Sequence, residues 1–248
     1  MHKKLMGHSA ILCAALLLAS QQGLAQQAPK PKYQEGIHYT AIENAPDLSS
    51  EKISVTEAFS YMCTHCATFE PYIQSWQQRK PEFVDFKRVP VVFGRGSWEL
   101  YARAYVTAEV MGIAGESHSA MMDRIWKDRE VSRTIEELAQ FYAAYGVDPN
   151  TFVATSKSFA VDARMRKDQR WVQTSGVRGT PTLVVADRYV VAGNDAVPNY
   201  DAMLDVVNFL VDSERSEQVA AAAAASEAIE EEVAEDVSLD DNGSGSGN

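Results

Sequence analysis

Two cysteines stand three residues apart in the stretch FSYMCTHCATFEP, at Cys63 and Cys66. The residues before them, ISVTEAFSY (53–61), are rich in β-branched and aromatic side chains and predict a strand. Residues 64–79 place apolar side chains at helical spacing and predict a helix, with Pro71 inside it. The pair therefore lies where a strand passes into a helix, and the fold must present two sulfurs at a helix start.

The rest of the chain predicts two α/β parts separated by a helical block. Residues 83–93 predict a second strand, residues 97–175 a series of helices, and residues 182–193 a hairpin that turns at Asp187-Arg188. A final amphipathic helix follows from residue 200. Because a pair of strands cannot form a core alone, we expect the first and last parts to share one sheet, with the helical block as an insertion.

Local signals mark the ends of the inserted helices. Ser132 and Asp148 are candidate N-caps, and the second is followed by a proline at the first helical position. Gly112, Gly146 and Gly176 are candidate stops, where the chain leaves a helix with a left-handed residue.

The N-terminal segment, residues 1–25, reads as a secretory signal peptide. His2, Lys3 and Lys4 precede a short apolar run at residues 10–19, and small residues then surround a cleavage point after Ala25. The run is too short for a membrane span, which needs about 20 residues. We therefore expect a periplasmic protein, in a compartment where disulfides persist.

The C-terminal segment, residues 212–248, carries eleven acidic residues and one arginine. It therefore accounts for most of the net charge of the whole chain, which is −11. We expect an acidic tail that is helical at first and then disordered. The remaining boundaries are predicted at 26–96 for the first part of the domain, 97–175 for the insertion and 176–211 for the last part. We expect no nucleic-acid partner and a monomer.

The spacing gives the two thiols different chemistry. In a helix, positions i and i+3 lie on one face, close enough for a disulfide. Cys63 faces unpaired N–H groups and the positive end of the helix dipole, which lower the pKa of its thiol. Cys66 faces the fold, and His65 adds a donor near Cys63. We therefore expect a nucleophile at Cys63, a resolving thiol at Cys66, and a site that acts as an oxidant.

Other uses of the two thiols remain open from the residues alone. Structural zinc usually requires four ligands, and no second Cys-x-x-Cys accompanies His38, His65 and His118 in the mature body. A copper-binding protein would use the two soft thiolates. A structural disulfide would close so short a loop that it would constrain little unfolded chain.

A third feature, Gly179-Thr180-Pro181, stands just before the returning strands. The combination of a Cys-x-His-Cys at a helix start, a helical insertion, and Gly-Thr-Pro leading into a hairpin and final helix resembles the DsbA-type periplasmic thiol:disulfide oxidoreductases. The resemblance implies a thioredoxin fold with a large helical insertion between its βαβ half and its C-terminal ββα half. It also implies that the redox-active disulfide is the only reactive group, without a cofactor or a metal.

The resemblance also implies roles for individual residues. Cys63 would attack and carry the substrate, Cys66 would resolve the mixed disulfide, and His65 would stabilise the Cys63 thiolate. Pro181 would be a cis proline that faces the disulfide, and Thr180 would offer its backbone to a bound peptide.

Four further residues would tune the redox site. Glu57 and Glu70 match buried acidic positions of the family, and Lys87 matches a basic partner for them. Thr64 stands where the family commonly has proline in the dipeptide between the cysteines. Because that dipeptide tunes the redox poise, the strength of the oxidant is not given by the resemblance.

The resemblance therefore predicts an oxidase that donates its Cys63–Cys66 disulfide to unfolded exported proteins with free thiols. A quinone-linked membrane oxidase of the DsbB type would reoxidise it. A reductase or an isomerase is the alternative within the same class, although isomerases of this kind usually carry an N-terminal dimerisation domain. A copper-binding protein is the alternative from another class.

Overall fold

The chain folds around one mixed five-stranded sheet with helices packed against it. The computed structural model describes residues 31–43, 45 and 51–241, with residues 230–241 described as backbone only. The strands are β1 (Thr40–Ala41), β2 (Ile53–Phe59), β3 (Val84–Pro90), β4 (Thr182–Val185) and β5 (Tyr189–Ala192). The helices are α1 (Thr64–Arg79), α2 (Gly96–Val110), α3 (Ala114–Trp126), α4 (Ile135–Tyr142), α5 (Pro149–Ser156), α6 (Phe159–Thr174) and α7 (Tyr200–Asp241). The predicted signal peptide, residues 1–25, which contains the third cysteine of the chain, Cys13, lies outside the described residues.

The sheet has the strand order β1-β5-β4-β2-β3. β2 pairs in parallel with β3, and the helix α1 connects them. On its other side β2 pairs antiparallel with β4, which follows the helical block in the sequence. The prediction that the two ends of the domain share one sheet is therefore confirmed.

The helix α1 begins and ends where the sequence predicted. Its buried face carries Phe69, Ile73 and Trp76, which pack with residues of β2 and α7. Pro71 lies on the exposed side, where the helix continues past it. Packing of this face fixes the start of α1, and so the cysteines, against the sheet.

The helices α2–α6 form the block between β3 and β4. Their core is a second cluster of buried side chains, including Tyr101, Met121, Leu138, Tyr142 and Phe152. This cluster also contains Cys63 and Cys66, so the redox pair lies at the boundary between the sheet and the helical block.

The expected helix ends are mostly confirmed, with one correction. Asp148 caps α5 by accepting a hydrogen bond from the Thr151 N–H, and Gly112, Gly146 and Gly176 all have positive φ. Ser132 is not an N-cap, because α4 is capped two residues later by Thr134, whose side chain accepts from the Glu137 N–H.

The hairpin of β4 and β5 turns one residue earlier than predicted. Ala186 and Asp187 have φ values of 56° and 53°, and the Arg188 N–H donates to the Val185 carbonyl at 2.9 Å. Two central residues with positive φ are characteristic of a type I′ turn, whose twist matches that of the strands.

The helix α7 continues far into the segment that the sequence analysis assigned to the tail. Its side chains pack on the domain as far as Gln218, with Glu214 fully buried, and those of residues 219–229 are exposed. The backbone remains helical to Asp241, and residues 242–248 lie outside the described range. Within the part of the chain that the structure describes, no helix is both long and apolar enough to cross a membrane.

Candidate active site

Cys63 is the residue that precedes the first turn of α1. Its backbone is extended (φ −102°, ψ 117°), and its N–H donates to the Ser60 carbonyl at 3.0 Å, which turns the chain after β2. Both cysteines are free thiols, and Cys63 keeps 8% of its surface exposed whereas Cys66 keeps none. Only the sulfur of Cys63 is therefore accessible to another thiol.

The environment of Cys63 favours its thiolate. A hydrogen bond from the Cys66 thiol lowers the pKa of Cys63 to about 5, against the opposing effect of burial, with help from the Thr180 side chain and the N–H groups of Cys66 and His65. The uncharged thiol makes no capping hydrogen bond to the first turn, because a neutral sulfur is a weak acceptor. The N–H groups therefore act on the charged form.

Cys66 has the opposite character. Burial is the main cause that raises the pKa of its thiol, and the hydrogen bond to Cys63 and the charge of Cys63 raise it further. A buried sulfur with a high pKa stays protonated beside the Cys63 thiolate. The pKa is thus lowered at Cys63 and raised at Cys66, as the position of the pair at the helix start predicts.

The segment before β4 faces the cysteines. The Thr180–Pro181 peptide bond is cis, as expected, and the Cys63 thiol donates to the Thr180 carbonyl at 3.4 Å. Both residues are half-buried and line an open groove. The sheet pairing of β2 with β4 brings this segment to the start of α1.

Two predicted acids lie buried beneath the cysteines and share one arginine. Arg88 Nε lies 2.8 Å from Glu57 Oε2, and Arg88 Nη2 lies 3.2 Å from Glu70 Oε2. The prediction that Lys87 is the basic partner is wrong, because Lys87 is exposed on the opposite face of β3. Side chains alternate along a strand, and the parallel register places Arg88, not Lys87, beside Glu57.

The charge state of Glu57 is set mainly by burial. The carboxyl is fully buried on β2, and burial raises its pKa to about 7 although Arg88 opposes the shift. Its Oε1 has no hydrogen-bond partner among the described residues. Glu57 also contributes to the raised pKa of Cys66, so the two groups interact electrostatically.

Comparisons with known proteins agree with this arrangement. The sequence model of the DSBA-like thioredoxin domain matches residues 54–205. The thiol:disulfide interchange protein DsbA of Pseudomonas aeruginosa is 36% identical over 208 residues, which are 83% of this chain and 96% of that protein. The chain belongs to the DSBA-like thioredoxin domain family.

Solved structures of the family show the same fold. The crystal structure of the oxidoreductase DsbA from Xylella fastidiosa has a TM-score of 0.69 and 37% identity, and the similarity covers 74% of this chain and 98% of that one. The DsbA structure of Pseudomonas aeruginosa has a TM-score of 0.68 and 33% identity, with 75% and 96% covered. The chain is thus a DsbA-like thiol:disulfide oxidoreductase whose reactive group is the Cys63–Cys66 pair.

The two residues between the cysteines of this DsbA-like protein are both exposed. Thr64 and His65 occupy the first turn of α1 at the surface, and Thr64 accepts a hydrogen bond from the Thr68 hydroxyl through its carbonyl. His65 acts on Cys63 through its backbone N–H. A role for the His65 imidazole remains a prediction.

A buried histidine, His118, extends the acidic cluster into the inserted helices, a role for which the sequence analysis did not consider it. His118 Nε2 lies 3.2 Å from Glu70 Oε2, and its Nδ1 lies 3.1 Å from the Tyr61 hydroxyl. Burial lowers the pKa of His118 to about 4, and the nearby charge of Arg88 adds to the shift. A neutral ring therefore donates to Glu70 and accepts from Tyr61.

Glu70 is consequently held as a carboxylate. Burial opposes its ionisation, but the hydrogen bond from His118 and the charge of Arg88, together with Ser119, lower its pKa to about 2. A sequence signal for His118 does exist. It lies at helical spacing with Met121, Met122 and Ile125, so the periodicity of α3 already places it on the buried face.

The groove beside the cysteines has a volume of about 1100 Å³. Its walls include His65, Thr180, Pro181, Tyr200 and Met203. Within the described residues no three His, Cys, Asp or Glu side chains gather into a group that could hold a metal ion, so a copper site there would have the two thiols as its only ligands from these residue types.

Proposed function

We propose that this protein is a periplasmic oxidase that donates its Cys63–Cys66 disulfide to exported proteins. The observation that carries the proposal is the contrast between the two thiols. A pKa of about 5 at Cys63 stabilises the reduced folded form at neutral pH. Cys66 stays protonated there and donates a hydrogen bond to the Cys63 thiolate, and the disulfide form receives no such stabilisation. A site that is more stable when reduced is an oxidant.

The reaction consists of two thiol–disulfide exchanges. A client thiolate attacks the Cys63 sulfur, the Cys63–Cys66 bond breaks, and Cys66 leaves and takes up a proton. A second client thiolate then attacks the client sulfur of the mixed disulfide, and Cys63 leaves as its stabilised thiolate. The client loses two electrons and its thiol protons, while the protein gains two electrons.

We propose that Glu57 donates the proton that Cys66 takes up when the disulfide breaks. Its carboxyl is buried near Cys66, has one oxygen without a hydrogen-bond partner among the described residues, and has a pKa of about 7, so it exchanges protons at neutral pH. Glu70 and Arg88 would tune this group through their charges. Replacing Glu57 with Gln should slow reduction of the disulfide about tenfold or more, whereas Glu82→Gln, at an exposed carboxylate, should not.

The groove supports the binding of a client chain across the cysteines. We propose that Thr180 offers its backbone to the client, that Pro181 shapes the surface against which the mixed disulfide forms, and that Thr64 and His65 set the redox poise. Reoxidation would come from a quinone-linked membrane oxidase of the DsbB type that uses the same groove. We also propose that the protein is exported by residues 1–25 and acts as a monomer.

The first test is the equilibrium of the mature protein with glutathione redox buffers. Trp126 is a built-in fluorescent reporter, because its indole N–H donates to the Tyr61 carbonyl at 2.8 Å, two residues before Cys63. We expect the protein to be reduced by mildly reducing buffers in which thioredoxin would stay oxidised. A poise near that of thioredoxin would instead support a reductase or isomerase, and tight Cu(I) binding with slow exchange would support the copper-binding alternative.

Two cysteine variants test the direction of the mechanism. Cys63→Ser should abolish the oxidation of a reduced client protein, and unchanged turnover would contradict the mechanism. Cys66→Ser keeps the nucleophile but removes the resolving thiol. It should therefore accumulate mixed disulfides with clients that a non-reducing gel separates from the free protein.

A further inference from the structure

Tyr200, the first residue of α7, makes a contact with the redox site that the reaction described above does not use. Its hydroxyl donates to the carbonyl of His65 at 3.0 Å, across 135 positions of sequence. Its ring packs against those of Phe69 and Tyr72, with centroid distances of 5.0 and 5.3 Å. The aromatic contacts hold the ring, and the hydroxyl is left to bind the first turn of α1.

The acceptor of this hydrogen bond belongs to a particular peptide group. The carbonyl of His65 and the N–H of Cys66 are the two ends of one planar, conjugated unit. The Cys66 N–H is one of the groups that favour the Cys63 thiolate. A donor bound to the carbonyl end polarises the unit and strengthens the N–H as a donor at the other end.

We propose that Tyr200 is a positioning residue of the redox site, whose hydroxyl fixes and polarises the peptide group that presents the Cys66 N–H to the Cys63 sulfur. This inference rests on the proposed oxidase function and deepens it. It assigns to the final helix a share in making the site an oxidant. The other lone pair of the His65 carbonyl stays available to the helix, so the contact adds to the first turn without breaking it.

The electrostatics of Tyr200 agree with this geometry. Burial raises the pKa of its hydroxyl, and charge on Cys66 and Cys63 raises it further. The hydroxyl therefore stays protonated and remains a hydrogen-bond donor under the conditions in which Cys63 is a thiolate. As Tyr200 also lines the groove, a client bound there would touch the residue that orients the nucleophile's donor.

The test removes the hydroxyl and keeps the ring. In Tyr200→Phe, the titration of the Cys63 thiolate, followed by ultraviolet absorbance, should shift upward by about half a pKa unit, the size expected if polarisation changes a charge-assisted hydrogen bond by roughly 10–30%. The equilibrium constant for oxidation of glutathione should fall about threefold, since each pKa unit is a factor of about ten. A purely structural role would change the unfolding temperature but not this titration.

Tyr72→Phe is the matched control, because it removes the hydroxyl of the neighbouring ring in the same aromatic group. It should titrate like the wild type. If Tyr200→Phe also titrates like the wild type while the wild type remains strongly oxidising, the role of Tyr200 is wrong and the oxidase function stands. If the wild type itself has an ordinary Cys63 pKa and does not oxidise glutathione, the proposed function fails first.

Discussion

Beneath the redox pair lies a buried cluster of one arginine and two carboxyl groups. Arg88 is almost fully buried between Glu57 and Glu70, and its single positive charge opposes two carboxyl groups. The pKa of Glu57, about 7, allows this group to give up its charge when the thiolate of Cys63 forms nearby. The cluster can therefore adjust its net charge by one proton, which is what a reaction that creates and removes thiolates requires.

The low pKa of Cys63 predicts how the stabilities of the two redox forms depend on pH. The folded pKa of about 5 lies below that of an unfolded thiol, so the stabilisation is complete above about pH 8.5 and is lost as pH falls through 5. As the pH falls from about 8.5 to 5, the reduced form should lose about 1.4 kcal/mol of stability per pH unit relative to the oxidised form.

Urea unfolding of the oxidised and reduced proteins across this pH range measures the effect. Both forms contain the same buried acids, so the difference between their unfolding free energies largely isolates Cys63. A difference that stays constant with pH would show that Cys63 does not ionise in the folded protein.

Arg88 and Lys87 form a matched pair for a second prediction. Arg88→Met leaves two buried carboxyl groups without their cation and should lower the free energy of unfolding by about 3–5 kcal/mol. Lys87→Met changes an exposed residue on the other face of β3 and should stay within about 0.5 kcal/mol. Equal losses in the two variants, measured by urea unfolding, would contradict the ion-pair geometry.

The site residues that could be predicted from the sequence depend on local spacing, and those that could not depend on contacts between distant segments. Cys63 and Cys66 are defined by spacing within one helix turn, which the sequence contains in full. Arg88 depends on the register between β2 and β3, and a shift of one residue moves a side chain to the other face of the sheet. His118 and Tyr200 act through contacts made only after distant elements pack together.

At the scale of elements, the start of α4 shows how two local signals compete. Ser132 precedes the helical pattern, but Thr134 and Glu137 have the spacing of a capping box. In the structure the Thr134 hydroxyl accepts from the Glu137 N–H at 3.2 Å, and Glu137 accepts from the Arg133 N–H. The Thr134 hydroxyl satisfies one donor of the first turn, and the Glu137 carboxylate binds the N–H of the residue just before the cap. Together these contacts explain why the helix begins after Thr134 and not after Ser132.

This arrangement predicts a graded response at one position. Thr134→Ala removes the cap and should cost about 1 kcal/mol of stability, whereas Thr134→Ser keeps the hydroxyl and should cost much less. Thermal or urea unfolding distinguishes the two variants. An equal loss in both would mean that the methyl group, and not the hydroxyl, is the part of Thr134 that matters.

Element prediction succeeded where the pattern is long. The helix α1 and the strand β2 have apolar side chains at regular spacing over two or more repeats, so their bounds follow closely from the sequence. The strand β1 has only two residues and exists because β5 offers it an edge. A pairing of that length leaves no periodicity in the sequence, and only the assembled sheet explains it.

At the scale of the whole molecule, the final helix has two parts that are stabilised in different ways. Up to Gln218 it packs on the domain, where Arg188 bridges the buried Glu214 at 3.3 Å and Glu217 at 3.8 Å. Beyond this point the described side chains, as far as Ile229, are exposed. That second part contains a run of alanines, the residue with the highest helix propensity, which supports a helix without tertiary packing.

The charges of the outer part of α7, from Val219 onward, destabilise its helical conformation at neutral pH. From Val219 onward the chain has eight acidic residues and no basic one, and several of them lie three or four positions apart. Like charges at these spacings repel, and acids near a helix C-terminus interact unfavourably with the helix dipole. Protonation of the carboxylates should therefore strengthen the outer helix as pH falls.

Circular dichroism of the mature protein and of a variant that ends at Gln218 measures this effect. The difference spectrum should be helical, and its amplitude should grow as the pH is lowered through the range where exposed carboxylates titrate. The truncated variant should keep its free energy of unfolding within about 0.5 kcal/mol, because it retains every buried contact of α7. A large loss of stability would instead mean that the acidic segment packs on the domain, and its role would then lie in the fold itself.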